Sequence, residues 1–380
     1  MSDARPPPAT RFAPPPEPPA WGHELDTVGV TGTNGKTTTT ALVASALRRH
    51  HGPVPRVTTV GAYLDERRLE VPESFDGFLR ALRQGLDGGA RYAAIELTSE
   101  ALAMGFAKAW PCRVGVFTNL SRDHLDSHGS AEHYLASKAQ LFVHLPQGGA
   151  AVLNGCDPAG DLLGEITAAG VTVLRYGSPG RGPAAGDLDL RAVATEVDWS
   201  GTRATVEIGA PLAGELGMQK TELSVRAIGS VYAENALAAF GAAVALGDPA
   251  ETARLGIAEE PRPPGRFEPI ADRPRVVVDY AHTPDALRRT LEAARSLCQG
   301  TLWVVFGAGG ERDQAKRPQM GRAAAVADRV VITTDNPRGE EPASIATAIL
   351  EGVEPPATAE IELDRATAIR QALRQAESED

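Results

Sequence analysis

Cysteine is scarce. Cys112, Cys156 and Cys298 are the only three in 380 residues, with no C-x-x-C spacing and no even count. That excludes a disulfide framework and a cysteine-built zinc ribbon, and it places the chain in a reducing compartment, the cytoplasm. Long apolar runs are missing too. No stretch of about 18 hydrophobic residues occurs, so no membrane-spanning helix is expected, and the N-terminus lacks the charged-then-apolar pattern of a secretory leader. Positive charge is also short, with 38 Lys and Arg against 49 Asp and Glu for a formal charge of −11. A surface of that sign repels a polyphosphate backbone, so no nucleic-acid partner is expected, while a local basic pocket for a small anion stays compatible with it.

What is present is an ordinary globular composition, 42% hydrophobic and 23% charged, in a chain long enough for two domains. Eight of the first twenty residues are proline, so residues 1–25 are expected to form a disordered or polyproline-like tail. From Asp26 onward short β-rich runs (Thr27–Thr31, Tyr92–Leu97, Val114–Asn119, Ala150–Asn154) alternate with helical stretches. That alternation predicts an α/β fold with a mainly parallel sheet covered by helices. Residues 184–225 alternate more strictly and read as hairpins attached to that sheet. The segment Asp248–Pro264 carries Pro and Gly without clear periodicity, and the domain boundary is placed there, with expected domains at 26–258 and 259–380. In the second domain a βαβ texture returns: strands at Arg275–Tyr280, Thr301–Phe306 and Arg329–Thr334, helices at Pro284–Cys298 and Met320–Ala327, and a last helix at Asp364–Ala376.

The strand-like Thr27–Thr31 runs into Gly32-Thr33-Asn34-Gly35-Lys36-Thr37-Thr38 and then a helix-forming stretch. Strand, glycine-rich loop and helix in that order make a phosphate cradle. Backbone N–H groups turn toward phosphate oxygens, the helix N-terminus adds positive dipole, Lys36 reaches the β and γ phosphates, and Thr37 or Thr38 can ligate Mg²⁺. Val30 stands where the strict G-x-x-x-x-G-K-[ST] pattern has its first glycine, so the alternative is a glycine-rich turn with an incidental lysine.

Glu96 ends one apolar run, at the carboxyl edge where ligands of α/β sheets bind. A second run delivers Asn119-Leu120-Ser121-Arg122-Asp123-His124-Leu125-Asp126 to the same edge, with His128 and Lys138 downstream. Zinc is the simplest reading of such a cluster, but without HExxH or cysteine the oxygen-rich set near a phosphate loop favours Mg²⁺. The plain alternative is helix capping by Asp123 and a surface His128.

Taken together, these motifs resemble the Mur ligase family, in particular its meso-diaminopimelate-adding UDP-N-acetylmuramoyl-tripeptide synthetase branch. The resemblance rests on the phosphate loop, on 119–126 with Ala136-Ser137-Lys138-Ala139-Gln140-Leu141-Phe142, on Pro264-Gly265-Arg266-Phe267-Glu268, and on Asp279-Tyr280-Ala281-His282-Thr283-Pro284-Asp285. It extends to Gly309-Gly310-Glu311-Arg312-Asp313 and Asp335-Asn336-Pro337-Arg338, all in family order. It implies a phosphate-loop central domain followed by a smaller Rossmann-like domain. It also implies an ATP-dependent ligase that forms an amide through an acyl phosphate, joining an amino acid to a carboxylate of a peptidoglycan precursor. By the same resemblance Lys36 and Thr37 hold the ATP phosphates and a first Mg²⁺ with Glu96, His124 holds a second Mg²⁺, and Lys138 carries a carbamate. Asn235, Asp279, Arg266 and His282 would surround the nucleotide, and Arg312, Asn336 and Arg338 the incoming amino acid.

The sequence departs from the family in four places. The UDP-gripping N-terminal domain and the last strand with its glycine-lysine-glycine-histidine-glutamate motif have no counterpart. Glu100 replaces a histidine and Tyr232 an asparagine. The first departure leaves a separate UDP-binding protein open as a partner. Two alternatives accompany the tripeptide reaction: a ligase for another acid and amino acid, in the manner of folylpolyglutamate and cyanophycin synthetases, and a non-catalytic nucleotide-binding homologue.

Overall fold

The computed structural model describes residues 15–121, 130–178, 186–311 and 313–380. The first strand, β1 (Asp26–Thr31), is a run of β-branched residues and glycine buried on both faces, as the centre of a parallel sheet requires. β2 (Pro55–Thr58), β3 (Gly61–Leu64), β4 (Arg67–Leu69), β5 (Tyr92–Glu96), β6 (Val114–Phe117), β7 (Ala150–Asn154), β8 (Thr172–Gly177), β9 (Leu190–Asp198), β10 (Gly201–Ile208) and β11 (Lys220–Val225) complete an 11-stranded sheet. Its order is β11-β10-β9-β8-β7-β6-β1-β5-β2-β3-β4. β1 pairs in parallel with β5 on one side (Val30 opposite Glu96) and β6 on the other (Thr31 opposite Phe117). The chain crosses from β5 to β6 over β1. This makes the carboxyl edge of these three strands the switch point where α/β ligands bind.

The helices are α1 (Lys36–His51), α2 (Phe75–Asp87), α3 (Ser99–Ala103), α4 (Phe106–Ala109), α5 (Ala131–Val143), α6 (Pro158–Ile166), α7 (Ala210–Leu216), α8 (Val231–Ala245) and α9 (Ala250–Glu259), followed by α10 (Pro284–Leu297), α11 (Lys316–Ala324), α12 (Pro342–Leu350) and α13 (Arg365–Gln375). Among the described residues no helix is long and apolar enough to cross a membrane. Under the sheet lies a core of Leu82, Ile95, Leu102, Trp110, Phe117, Leu141, Phe142 and Leu153, all buried. Each such side chain contributes about 1.5–3 kcal/mol by leaving water.

Two compact units result. The first comprises Met1–Ala194, Ala204–Ser224 and Glu234–Glu260; the second comprises Thr195–Arg203, Val225–Ala233 and Pro261–Asp380. In the second, β12 (Glu268–Asp272) and β13 (Arg275–Val278) form an antiparallel pair, and β14 (Trp303–Phe306), β15 (Arg329–Ile332) and β16 (Thr358–Ile361) a parallel sheet. Leu287, Phe306, Met320, Ile332 and Ile349 form its core. A cavity of about 930 Å³ is lined by Val276, Val278, Trp303, Val305, Leu291 and Leu373. Asp380 also lines it; its main-chain carbonyl accepts from Arg275 N–H at 3.0 Å, and its carboxylate accepts from Thr301 N–H at 2.7 Å.

The segment placed at the domain boundary holds a helix. Residues 250–259 are helical, not irregular, and α9 packs on α1, with Ser45 Oγ donating to the Gly256 carbonyl at 2.8 Å. The glycine is there for contact, since a Cβ on Gly256 would fall 2.5 Å from the Ser45 carbonyl oxygen and 2.8 Å from Ala46 Cα. Gly256→Ala is therefore expected to destabilise the protein by about 1–3 kcal/mol in denaturant unfolding. Gly214→Ala, in α7 with nothing within 4 Å of the added methyl, is expected to be neutral or to stabilise by up to about 1 kcal/mol.

Candidate active site

The loop between β1 and α1 is clamped from below by the residues that leave β6. Thr33 N–H donates to the Asn119 carbonyl at 2.8 Å, Asn34 N–H donates to Asn119 Oδ1 at 3.0 Å, and Asn119 Nδ2 donates back to the Asn34 carbonyl at 2.9 Å. Thr118 Oγ1 also donates to the Asn34 carbonyl, at 2.7 Å. Gly32 makes the approach feasible. Its φ is +148°, and a Cβ on it would fall 1.9 Å from Thr118 Oγ1. Gly35, in the left-handed region at φ +85°, then starts α1 without any side-chain cap. An uncapped helix start of this kind presents N–H donors and the positive end of the helix dipole to an anion.

Five predicted residues, Lys36, Thr37, Glu96, Lys138 and Asn235, converge there. Lys36 folds over the loop, its Nζ donating to the Thr33 carbonyl at 2.8 Å. Thr37 Oγ1 donates to Glu96 Oε2 at 2.8 Å. Lys138 comes from α5 and is almost fully buried; its Nζ donates to the Gly32 carbonyl at 2.7 Å and lies 4.2 Å from the centre of the Tyr134 ring. Asn235, buried in α8, packs against Gly35, whose Cβ position would be 2.7 Å from its Oδ1. Thr38 is buried in the first turn of α1. His124 lies outside the described residues.

Sequence reasoning passed over three contributors. Thr59, just after β2, donates to Glu96 through its N–H (3.1 Å to Oε2) and its hydroxyl (3.2 Å). Asn119 was quoted only within a motif, not as the clamp. Tyr134, four residues before Lys138, donates its hydroxyl to Thr33 Oγ1 at 3.3 Å. The signal for Thr59 lay in its place at a strand's carboxyl edge, shared with Glu96.

The remaining predicted residues belong to the second unit and form two groups. Asp279 accepts from Phe267 N–H (2.7 Å), Ala281 N–H (2.8 Å) and Thr290 Oγ1 (3.0 Å). Beside it the exposed Tyr280 ring lies under the Arg266 guanidinium at 4.6 Å and edge-on to His282 at 5.4 Å. Tyr232 is buried in the same unit; burial pushes its hydroxyl well above the usual tyrosine range, reinforced by the Asp279 charge. In the second group Gly310 N–H donates to the Asn336 carbonyl at 2.9 Å, and Arg338 donates to the Gly310 carbonyl. Arg338 and Glu311 both hold left-handed backbone, φ +50° and +52°, a strained conformation for such residues that clusters at functional sites. Glu340 braces the pair of loops. It pairs with Arg317 at 2.8 Å, and the Arg317 hydrogen bond, with one from Glu311 N–H, holds its carboxyl down to about 2. Arg312 lies outside the described residues.

The donor set fits a phosphorylated ligand with a hard cation: backbone donors and Lys36 for anionic oxygens, Thr37 and Glu96 as oxygen ligands. In fold the first unit is thus an α/β domain with a glycine-rich loop between its central strand and the following helix, the phosphate-loop class. Comparison with known proteins narrows this. Residues 30–243 match the Mur ligase middle domain, and residues 265–380 match the Mur ligase, glutamate ligase domain. A UDP-N-acetylmuramoyl-L-alanyl-D-glutamate--2,6-diaminopimelate ligase of Thermosynechococcus vestitus is 39% identical over 362 residues, 92% of this chain and 69% of the relative. The ligase so named in Vibrio vulnificus is 36% identical over 378 residues, 94% of this chain and 71% of the relative. A solved structure of a ligase of that name superposes with a TM-score of 0.66 at 30% identity, covering 94% of this chain and 72% of that one. Folylpolyglutamate synthase of Mycobacterium tuberculosis, at 19% identity, shares the fold alone, with a TM-score of 0.73 over 93% of this chain and 85% of its own. The chain belongs to the Mur ligase family, whose enzymes use ATP and Mg²⁺.

The clamp predicts a specific sensitivity. Gly32→Ala forces a methyl into Thr118 and is expected to weaken ATP binding at least about tenfold in a fluorescent-nucleotide titration while far-UV circular dichroism stays unchanged.

Proposed function

We propose that this chain is an ATP-dependent, amide-forming ligase that adds a diaminopimelate-like amino acid to a carboxylate of a peptidoglycan precursor. The observation that carries the reading is the convergence of Lys36, the Thr37–Glu96 couple and the buried Lys138 on one loop. The names of the relatives supply the substrate class.

In this reading residues 26–258 are the central ATP-binding domain and residues 259–380 the C-terminal domain. Gly32, Thr33, Asn34, Gly35 and Thr38 shape the phosphate cradle, and Lys36 offsets charge on the γ-phosphoryl group. Thr37 and Glu96 would hold one Mg²⁺, His124 and Lys138 a second. When bound, the two ions supply charge neutralisation to the phosphoryl group as it transfers. Lys138 as a bare ammonium would repel a cation. Attack of its neutral amine on CO₂, forming an N–C bond with loss of one proton, turns it into an anionic carbamate. The remaining N–H of that carbamate can still donate to the Gly32 carbonyl. Asn235, Arg266, Asp279 and His282 are assigned to the nucleoside, with the exposed Tyr280 ring as a flat surface beside Arg266 and His282. Arg312, Asn336 and Arg338 are assigned to the amino acid, because a guanidinium matches the second carboxylate that distinguishes diaminopimelate from lysine.

The substrate carboxylate attacks the γ-phosphorus, releasing ADP. The resulting acyl phosphate is attacked by the amine, which loses a proton and expels phosphate to leave the amide. The chain's contribution is to hold both substrates in line and keep water out. A second reading, a ligase for a different acid, is favoured by Glu100 and Tyr232 at positions where the resemblance implies histidine and asparagine.

The test is ADP formation with MgATP, bicarbonate, a candidate acid and an amino acid. Lys36→Ala and Lys138→Ala are each expected to lower turnover at least about 100-fold, with Lys138→Ala still binding ATP. Unchanged turnover in either variant contradicts the assignment. ATP binding with no turnover on any acid argues for a non-catalytic nucleotide-binding role.

A further inference from the structure

The last turn of α1 ends in Arg48-Arg49-His50-His51, about 24 Å along the helix axis from the phosphate loop at 1.5 Å per residue. Both histidines turn toward Asp248, in the connection between α8 and α9. His50 Nδ1 lies 3.3 Å and His51 Nε2 2.5 Å from the same oxygen, Asp248 Oδ1. One nitrogen from each imidazole and a carboxylate oxygen lie within 4.8 Å of one another.

Two features separate this cluster from an ordinary His–Asp hydrogen bond. The Asp248 side chain is completely buried, and its second oxygen, Oδ2, has no hydrogen-bond partner. A buried carboxylate that crowds two imidazoles onto one oxygen and leaves the other bare is poorly satisfied by protein groups alone. The neighbouring guanidinium groups do not supply the missing charge, because Arg48 pairs with Glu66 at 3.3 Å and Arg49 pairs with Glu259. The second feature is rigidity. His51 is packed between His50 (4.4 Å between ring centres) and Tyr92 (4.3 Å), which fixes its ring plane, while His50 stays half-exposed on the solvent side. The C-terminal end of a helix, with its negative dipole, also favours a cation.

We propose that His50, His51 and Asp248 form a divalent transition-metal site, best matched to Zn²⁺, with water from the open His50 side as fourth ligand. Two imidazoles and one carboxylate suit zinc, and metal–ligand bonds of about 2.0–2.1 Å place tetrahedral ligand atoms roughly 3.3 Å apart. The His50–Asp248 separation already has that value, and His51 needs to open by less than 1 Å. The site would pin the end of α1 to the α8–α9 connection. It thereby fixes the helix whose other end forms the phosphate cradle, and it stands independently of the catalytic assignment.

The test uses chelator-treated full-length protein. Zinc titration by calorimetry, the visible spectrum of the cobalt-loaded protein and the melting midpoint with added zinc are compared between wild type and His50→Ala/His51→Ala. The wild type is expected to bind one more zinc per chain than the double variant, to show the intense visible bands of four-coordinate cobalt, and to melt higher with zinc; the variant loses all three. Should the double variant fail to fold, His50→Ala alone removes a half-exposed ligand and is expected to weaken zinc binding at least about tenfold. Equal stoichiometry, spectrum and melting response in wild type and variant, or an unchanged zinc affinity in His50→Ala, would show the cluster to be a hydrogen-bonded pair and overturn the proposal.

Discussion

The reciprocal hydrogen bonds between Asn34 and Asn119 carry the functional geometry of the first unit. They tie the loop leaving β1 to the segment leaving β6, two strands already in parallel register. With Thr118 filling the space below Gly32, the loop has little freedom left. A phosphate cradle works only if its N–H groups are aimed before the ligand arrives, because reorganising them on binding would consume part of the interaction. Lys36, Thr37 and Glu96 take their positions from that fixed loop, and Lys138 closes it from the side of α5 through the Gly32 carbonyl. Asn235 approaches the same loop through Gly35 from α8.

The second unit solves a different problem with similar means. Its two predicted groups sit at strand ends and loops braced by buried or partly buried polar contacts: Asp279 satisfied by three donors, and Arg317 pairing with Glu340, which accepts from the Glu311 N–H. Left-handed backbone at Glu311 and Arg338 is sustained by that bracing. Arg338 keeps a guanidinium at the surface of this loop pair while part of it is anchored to the Gly310 carbonyl, which restricts its rotamers and lowers the entropy lost on meeting a carboxylate.

Most of the sheet was legible because its strands are short apolar runs of β-branched residues bounded by glycine and polar turns: Thr27–Thr31 and Ala150–Asn154 sit where the pattern places them. The phosphate loop was legible because strand, glycines, lysine and helix are contiguous. What failed was long-range. Gly256 reads as a breaker, yet it is a contact point for Ser45, some 211 residues away. α12 and β16 were not assigned, since β16 lies at a sheet edge with mostly exposed residues and so lacks an apolar signature. Tyr134 serves the site through a three-dimensional neighbour that no local spacing reveals, and the His50–His51–Asp248 cluster joins residues nearly 200 positions apart.

The central claim, that this chain forms an amide on a peptidoglycan precursor at the expense of ATP, is tested most directly by mass analysis of the product. The purified protein is incubated with MgATP, bicarbonate, UDP-N-acetylmuramoyl-L-alanyl-D-glutamate and meso-diaminopimelate. The account predicts a tripeptide product, formed in equal amount with ADP and absent when either substrate is omitted. ATP binding with no such product and no substrate-dependent ADP would contradict it.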